Sequence, residues 1–208
     1  MASRVQPPCP FQLSLSMRAE GFQIVAVAAS AGGLNALTHV LAGLPADFAA
    51  PLVVVQHLDR RHRSLMAGIL DKRTDLAVRE AAQGDRLAAG TAFIAPSNRH
   101  LLVNADGTLS LTQTQLVHFV RPSADLLFES TAAAFRDRAI AVVLSGTGVD
   151  GALGVKAIKE TGGTVIVQDD DSQHRGMPHA AREAAAVDFV LPLDGIAPAL
   201  RSLLGARR

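Results

Sequence analysis

The length, composition and charge of the chain exclude several kinds of protein. It has 208 residues, of which 49% are hydrophobic and 19% charged, a balance that suits a compact folded domain and not a disordered chain. No stretch approaches the roughly 18 uninterrupted apolar residues of a membrane span, and a net charge of +1 gives no general attraction to nucleic acid. We therefore predict neither membrane insertion nor nucleic-acid binding. The single cysteine, Cys9, cannot form a disulfide within the chain, which is consistent with a reducing cytoplasm.

The first 21 residues differ in character from the rest. Pro7, Pro8 and Pro10 disfavour regular structure, and the apolar stretch at 11–15 is too short for a secretory signal. We predict a flexible leader at residues 1–21, with Met17 as an alternative start, and a single folded domain at residues 22–208.

The first half of the domain alternates strands with helices. Residues 23–28 form an apolar run typical of a strand, and two glycines lead into a helix with apolar side chains at 34, 37, 40 and 41. Further along, strands are predicted at 52–56 and 91–95, with a helix between them at about 64–70. The turn signal Asn-Ala-Asp-Gly at 104–107 joins short strands at 100–103 and 108–112 into a predicted hairpin.

The second half continues the same alternation. A helix is predicted at 124–135, a buried strand at 140–144, and a helix at about 152–161 after a glycine-rich turn. Residues 164–168, 180–186, 189–191 and 196–204 follow as strand, helix, strand and helix. Because the strands are apolar without alternation, both of their faces are buried, as in a parallel sheet covered by helices. The predicted fold class is α/β, a doubly wound and mostly parallel sheet with helices on both faces and a small antiparallel hairpin.

Three reactive side chains follow the ends of predicted strands. Ser30 comes after the first strand, His57 after the second, and Asp150 after the strand that ends at Leu144. Sites in open parallel sheets form beyond the carboxyl ends of the strands, and these residues offer a nucleophile, a base and an orienting carboxylate. Each also has a simpler interpretation, since Ser30 and Asp150 are suited to cap helices and His57 to face solvent.

The surroundings of Ser30 favour a nucleophile. Residues 28–33 read Ala-Ala-Ser-Ala-Gly-Gly, small side chains at a strand-to-helix turn that would expose the hydroxyl and aim backbone N–H groups at an oxyanion. The segment lacks the first glycine of Gly-x-Ser-x-Gly, and the chain order Ser, His, Asp differs from that of α/β-hydrolases. A different hydrolase fold is implied.

At these residues the chain resembles the catalytic domain of the protein-glutamate methylesterases of bacterial chemotaxis. The serine motif of that family is Ser-Thr-Gly-Gly, where this chain has Ser-Ala-Gly-Gly at 30–33. The remaining matches run in family order along nearly the whole domain: Gln-His at 56–57, Ile-Ala-Pro at 94–96 with His100, Arg-Pro-Ser-Ala-Asp-Leu-Leu-Phe at 121–128, Gly-Thr-Gly-Val-Asp-Gly-Ala-Leu-Gly at 146–154, and Gly-Met-Pro at 176–178.

The resemblance assigns roles to these residues. Ser30 resembles the nucleophile, His57 the general base and Asp150 its carboxylate partner. The backbone N–H of Thr147 resembles an oxyanion donor where the family usually has methionine, and the backbone at Ala31 is expected to contribute beside it. Ala31 replaces the threonine of the family motif, so a hydroxyl that could steady the histidine is missing.

The resemblance also implies a substrate and partners. Such enzymes remove methyl esters from glutamates on the cytoplasmic helices of chemoreceptors, often deamidate receptor glutamines, and need no metal or cofactor. Family members commonly carry an N-terminal receiver domain. Only about twenty residues precede the first predicted strand here, so we expect no control by a receiver in the same chain. The alternatives are a stand-alone enzyme, with constitutive activity or a regulatory partner in trans, and a domain cut from a longer protein.

Arg60 and Arg61, with Arg63, form a basic cluster after His57. Two interpretations stay open for this cluster: a solvated loop, since surface arginines are common, and a docking site for an acidic receptor helix. Three other functions stay open: an esterase or deamidase with another protein substrate, a nucleotide-binding domain, and a signalling module without activity. The glycines after the first strand give little support to nucleotide binding, since two of the three glycines of the dinucleotide-binding fingerprint are missing.

Overall fold

The structure is a computed structural model that describes residues 23–58 and 64–205. A seven-stranded parallel sheet runs through it in the order β3-β4-β2-β1-β7-β8-β9, and β5 and β6 form a separate antiparallel hairpin. The strands are β1 Ile24–Ala29, β2 Leu52–Gln56, β3 Ala77–Glu80, β4 Thr91–Ile94, β5 His100–Val103, β6 Leu109–Thr112, β7 Ala139–Val143, β8 Thr164–Gln168 and β9 Phe189–Leu191.

Six α-helices connect the strands: α1 Gly33–Ala42, α2 Met66–Asp71, α3 Ala124–Phe135, α4 Ala152–Glu160, α5 Gly176–Ala184 and α6 Leu193–Gly205. None of the helices in the described ranges is long and apolar enough to cross a membrane. The predicted fold class is confirmed, including the hairpin. The predicted leader at residues 1–21 lies outside the described residues and stays a prediction.

The central strand β1 shows why the sequence needs helices on both faces. All six of its residues are buried, and successive side chains enter two different apolar clusters. Ile24, Ala26 and Ala28 belong to the cluster that includes side chains of α3, α4 and α5, whereas Val25, Val27 and Ala29 face side chains of α1, α2 and α6. A strand without polar alternation is therefore stable only as an interior strand.

The structure differs from the predicted elements at two places. Strand β3 was not predicted, because it is a short edge strand in which Val78 is the one buried residue and the apolar run is too brief to detect. Helix α5 begins at Gly176 instead of residue 180. Pro178 lies in its first turn, where backbone N–H groups have no partner within the helix and a proline is tolerated.

Candidate active site

The predicted site residues meet at the carboxyl edge of the sheet. Strands β2, β1 and β7 are neighbours, and the chain moves from β1 outward on one side before β7 returns to pair with β1 on the other. Such a reversal of strand order opens a crevice at the ends of the strands. The ladder continues one residue beyond the strands, because His57 N–H donates to Ala29 O and Ser30 N–H donates to Ser145 O, each at 3.0 Å. Ser30 and His57 therefore lie level with each other at the mouth of this crevice.

His57 and Asp150 form a close pair although 93 positions separate them in the chain. The ring Nε2 lies 2.8 Å from Asp150 Oδ2, and the side chains are only 10% and 4% exposed. A carboxylate accepts a hydrogen bond and does not donate one, so Nε2 carries the proton and Nδ1 of a neutral ring is left as the proton acceptor. The structure thus brings the two residues together, and their roles as general base and orienting carboxylate stay a prediction.

The N-terminus of helix α3 holds the Asp150 carboxylate in place. Oδ1 accepts from the Ser123 hydroxyl at 2.8 Å and the Asp125 N–H at 3.2 Å, and Oδ2 accepts from the Ala124 N–H at 2.6 Å in addition to His57. Burial alone would raise the pKa of Asp150, but the hydrogen bonds from His57, Ala124 and Ser123 outweigh it and keep the pKa below its usual value. The carboxylate therefore stays ionised beside the ring.

A second carboxylate, that of Asp125, makes the reciprocal contact between helices α3 and α4. Asp125, in the first turn of α3, accepts through Oδ1 from the N–H groups of Gly151 at 3.0 Å and Gly154 at 2.8 Å, at the start of α4. Its Oδ2 lies 3.1 Å from His118 Nε2. Burial, followed by the charge of Asp150, raises the pKa of Asp125 in spite of these hydrogen bonds. The N-terminus of α3 thus binds Asp150, which lies just before α4, and the N-terminus of α4 binds Asp125 of α3. This exchange fixes the loop that carries Asp150.

Close packing explains why small residues surround Ser30. A methyl group added to Gly146 would lie 2.9 Å from Ser30 Cβ, and one added to Gly32 would lie 2.9 Å from Ser145 Oγ. Gly32 also has a φ of +76°, a conformation that side chains with a Cβ rarely adopt. Ser30 itself is half-buried, and no hydrogen bond joins its hydroxyl to the His57 ring within residues 23–58 and 64–205. Catalytic hydrogen bonds are often long in a free enzyme and tighten when substrate binds.

Two backbone N–H groups near Ser30 are available to an oxyanion. The loop after β7 is pinned where Gly146 N–H donates to His174 O and Met177 N–H donates to Gly146 O, both at 2.9 Å. The next residue, Thr147, is exposed, and neither its amide nor that of Ala31 donates a hydrogen bond to any described group. The two amides predicted as oxyanion donors are therefore not used by another described group, and their role stays a prediction.

Gln56 has a role that the sequence did not reveal. Its buried side chain donates from Nε2 to Ser30 O at 2.6 Å and to His57 O at 3.0 Å, which ties the backbone of Ser30 to that of His57. Its Oε1 packs against Gly33, where any side chain would collide with it. The sequence signals were a glutamine in an otherwise apolar strand and the match of Gln-His at 56–57 to the family motif, and neither indicated these contacts.

Replacement of Gln56 by methionine, which has a similar length and no donor, should weaken both the fold and the site. We expect the free energy of unfolding to fall by about 2 kcal/mol, because two partly buried carbonyls lose a donor, and kcat to fall more than KM rises. Urea unfolding and ester hydrolysis measure the two effects. The matched control is Gln23→Met, another buried glutamine at the opposite end of β1. Equal kcat values for the two variants would refute this role for Gln56.

One group of side chains has the composition of a metal site. One ligand atom from each of His118, Asp125 and Asp150 falls within 4.8 Å of the others. The oxygens of both carboxylates already accept N–H or O–H donors, which a cation would have to displace. The chemistry of this donor set is that of two helix caps and an orienting carboxylate.

Arg60 and Arg61, the predicted docking residues, lie outside the described ranges.

Comparison with known proteins agrees with this geometry. The family model described as CheB methylesterase matches residues 25–200. A protein of Burkholderia lata named protein-glutamate methylesterase/protein-glutamine glutaminase 1 is 45% identical over 89% of this chain and 56% of its own length. A Leptospira interrogans protein, named as a putative member of the same class, is 40% identical over 85% of this chain and 92% of its own length.

The crystal structure of the Thermotoga maritima CheB methylesterase catalytic domain superposes with a TM-score of 0.84. It is 35% identical in sequence, and the match covers 88% of this chain and 99% of that domain. The chain thus spans about half the length of the Burkholderia relative and nearly all of an isolated catalytic domain.

Proposed function

The chain belongs to the CheB methylesterase family, and we propose that it is a serine hydrolase that removes methyl esters from glutamate side chains of chemoreceptors. The observation that carries this proposal is the buried pair of His57 and Asp150, 2.8 Å apart, at the strand end next to Ser30. A base with its tautomer fixed by a carboxylate, beside an accessible hydroxyl, supports acyl transfer. Names of similar proteins include glutaminase, so we extend the proposal to glutamine deamidation.

In the proposed first step, Ser30 Oγ attacks the ester carbonyl while His57 removes its proton. The proton goes to Nδ1, because Nε2 already donates its hydrogen to Asp150. The carbonyl oxygen becomes an oxyanion, which the amides of Thr147 and Ala31 stabilise. When the tetrahedral intermediate collapses, the bond to the methoxy oxygen breaks and methanol leaves with the proton from His57.

Water completes the proposed cycle. His57 takes a proton from a water molecule, which attacks the acyl-enzyme ester, and collapse of the second intermediate returns Ser30 with its proton and frees the glutamate carboxylate. A glutamine substrate follows the same path, with ammonia leaving in place of methanol. Throughout, the ionised Asp150 holds the ring and stabilises its cationic form, and a pKa kept below the usual value suits that task.

We place the reaction in the cytoplasm, on the cytoplasmic helices of the receptor. Arg60 and Arg61 remain the proposed contacts to acidic receptor residues, and control by a partner in trans remains part of the proposal. These assignments follow from the substrate class.

The direct test is methanol release from a methylated chemoreceptor, alongside hydrolysis of a small methyl ester. We expect the native protein to release methanol from the receptor and to leave a glutamate in place of each ester, detected by the mass loss of one methylene group. Hydrolysis of the small ester without any release from methylated receptor would instead indicate an esterase with another protein substrate.

A further inference from the structure

A tight turn beside the site places two bulky side chains in an unusual backbone conformation. Val117 and Val120 exchange backbone hydrogen bonds of 3.2 and 2.8 Å, and the residues between them, His118 and Phe119, have φ values of 48° and 64°. Hairpin turns of this type normally carry asparagine or glycine, because a Cβ is unfavourable in the left-handed region. The side chain of Phe119 gains no burial in return, since this residue is 91% exposed.

The turn is nevertheless held firmly from both sides. Behind it, His100 Nε2 bonds to Gln115 O at 3.0 Å and the Arg121 guanidinium donates to Thr114 O at 2.5 Å. At its tip, His118 Nε2 bonds to Asp125 Oδ2 at 3.1 Å. Phe119 therefore projects into solvent from a fixed position and not from a loose loop.

Phe119 is one of three exposed apolar residues that we call the apolar rim: Phe119, Val149 and Leu153. Val149 is 53% and Leu153 57% exposed. Val149 immediately precedes Asp150, and Leu153 lies between Gly151 and Gly154, whose amides bond to the same Asp125 carboxylate that holds His118. One carboxylate thus joins the segments that carry all three residues, and one ligand atom each of His118, Asp125 and Asp150 lies within 4.8 Å of the others. A group of exposed apolar side chains is a mark of an interaction site.

We propose that the apolar rim is the docking surface for the substrate polypeptide, an amphipathic helix whose apolar face contacts Phe119 while its esterified glutamate enters the crevice. The proposal rests on the proposed function. The His57 and Asp150 side chains are only 10% and 4% exposed, so the site lies below the protein surface. A glutamate side chain is short, so a polypeptide whose ester carbonyl reaches Ser30 has to lie against the residues around the mouth of the crevice. Apolar anchors repeated along one helix face suit a rim of this kind.

The charge near the rim favours an acidic partner. The backbone of Arg175 pairs with Gly146, next to the proposed oxyanion amide of Thr147. Its exposed side chain makes neither an ion pair nor a hydrogen bond with the residues that the structure describes. A helix that contains several glutamates, only some of them esterified, would supply the missing negative charge.

The experiment compares two substrates and two phenylalanines. For the native protein, Phe119→Ala, Phe119→Gly and Phe189→Ala, we would measure kcat/KM on a methylated receptor helix and on a small methyl ester, and take the ratio. Phe189, in the edge strand β9, is a matched control at 38% exposure, three strands away from β1. Both Phe119 variants should lower the ratio about tenfold, whereas Phe189→Ala should not change it. Phe119→Gly also relieves the left-handed conformation, so its melting temperature should equal or exceed that of the native protein.

The outcomes are distinguishable. If the native protein is active and the ratio of the two kcat/KM values is unchanged in both Phe119 variants, as in Phe189→Ala, the docking surface is wrong. The proposed function then still stands. A native protein that hydrolyses neither substrate overturns the proposed function and the docking surface with it. A fall in the ratio for Phe119→Gly without any fall in melting temperature supports docking, because damage to the fold could not produce it.

Discussion

Ser30→Ala is expected to lower kcat for methanol release by a factor on the order of 10⁶, because the acyl-enzyme can no longer form. Loss of the nucleophile in a triad removes the shared function of all three residues at once. The residual rate would come from substrate binding and the oxyanion amides. Measurement of released methanol from methylated receptor, with native and variant protein at equal concentration, tests this directly.

The fold should survive this substitution, which makes the result interpretable. The contacts that the structure shows for Ser30 use its backbone: its N–H donates to Ser145 O, and its carbonyl accepts from Gly33 N–H and from the Gln56 amide. An alanine keeps all of them. We expect the melting temperature to change little.

Ser110→Ala is the matched control for Ser30→Ala. Ser110 lies in β6 of the separate hairpin, where its hydroxyl accepts a hydrogen bond from Asn104. This variant should keep full activity. If Ser30→Ala retained more than about a hundredth of the native rate, a margin far above that of other triads, the nucleophile would have to be another group and the proposed mechanism would be wrong.

The sequence was most informative where function depends on residues at the ends of strands. Ser30 and His57 directly follow apolar runs, so their proximity was predictable once a parallel sheet was inferred, and neighbouring strand ends are what the structure shows. Asp150 was harder, because six residues of loop separate it from the last residue of β7. Its position after the predicted strand made it a candidate, and the family motif around it then supported the same role.

Other parts of the site could not be predicted, because they depend on contacts between distant segments. Asp150 accepts a hydrogen bond from the N-terminus of α3, the helix that carries Asp125. Asp125 in turn accepts one from the start of α4, the helix that follows Asp150, across about 25 positions of sequence. A pattern of helix starts predicts local capping and not an exchange between two helices. The left-handed turn at His118 and Phe119 was also not predicted, since histidine is only enriched at positive φ and phenylalanine does not indicate it.

Asp150→Asn is expected to reduce kcat on the order of 10⁴-fold, because it disturbs the protonation of His57. An asparagine has one acceptor oxygen, whereas both carboxylate oxygens of Asp150 accept hydrogen bonds. If the amide nitrogen takes the place of Oδ2, the ring must present an unprotonated Nε2 and carry its proton on Nδ1. The nitrogen that should accept the Ser30 proton is then already occupied.

The control for this effect is Asp106→Asn. Asp106 is an exposed aspartate in the hairpin turn whose carboxylate accepts from Thr108, and hydrogen bonds lower its pKa as they do for Asp150. It lies outside the site, so its amide variant should hydrolyse methylated receptor at the native rate. Similar losses for the two variants would show that a general change of charge, and not the His57 contact, is responsible.

Asp150→Asn should also weaken the fold, in a way that depends on pH. Asp150 caps α3, and loss of such a cap costs about 1–2 kcal/mol of unfolding free energy near pH 7. Because the pKa of Asp150 is lower in the folded than in the unfolded protein, its ionised form stabilises the fold above the unfolded pKa of about 3.9, and that stabilisation is lost as the pH falls through the folded value. Urea unfolding should therefore separate native protein from Asp150→Asn at pH 7 and bring them together at low pH. A difference that persisted unchanged at low pH would mean that the shape of the side chain, and not its charge, holds α3 to the catalytic loop.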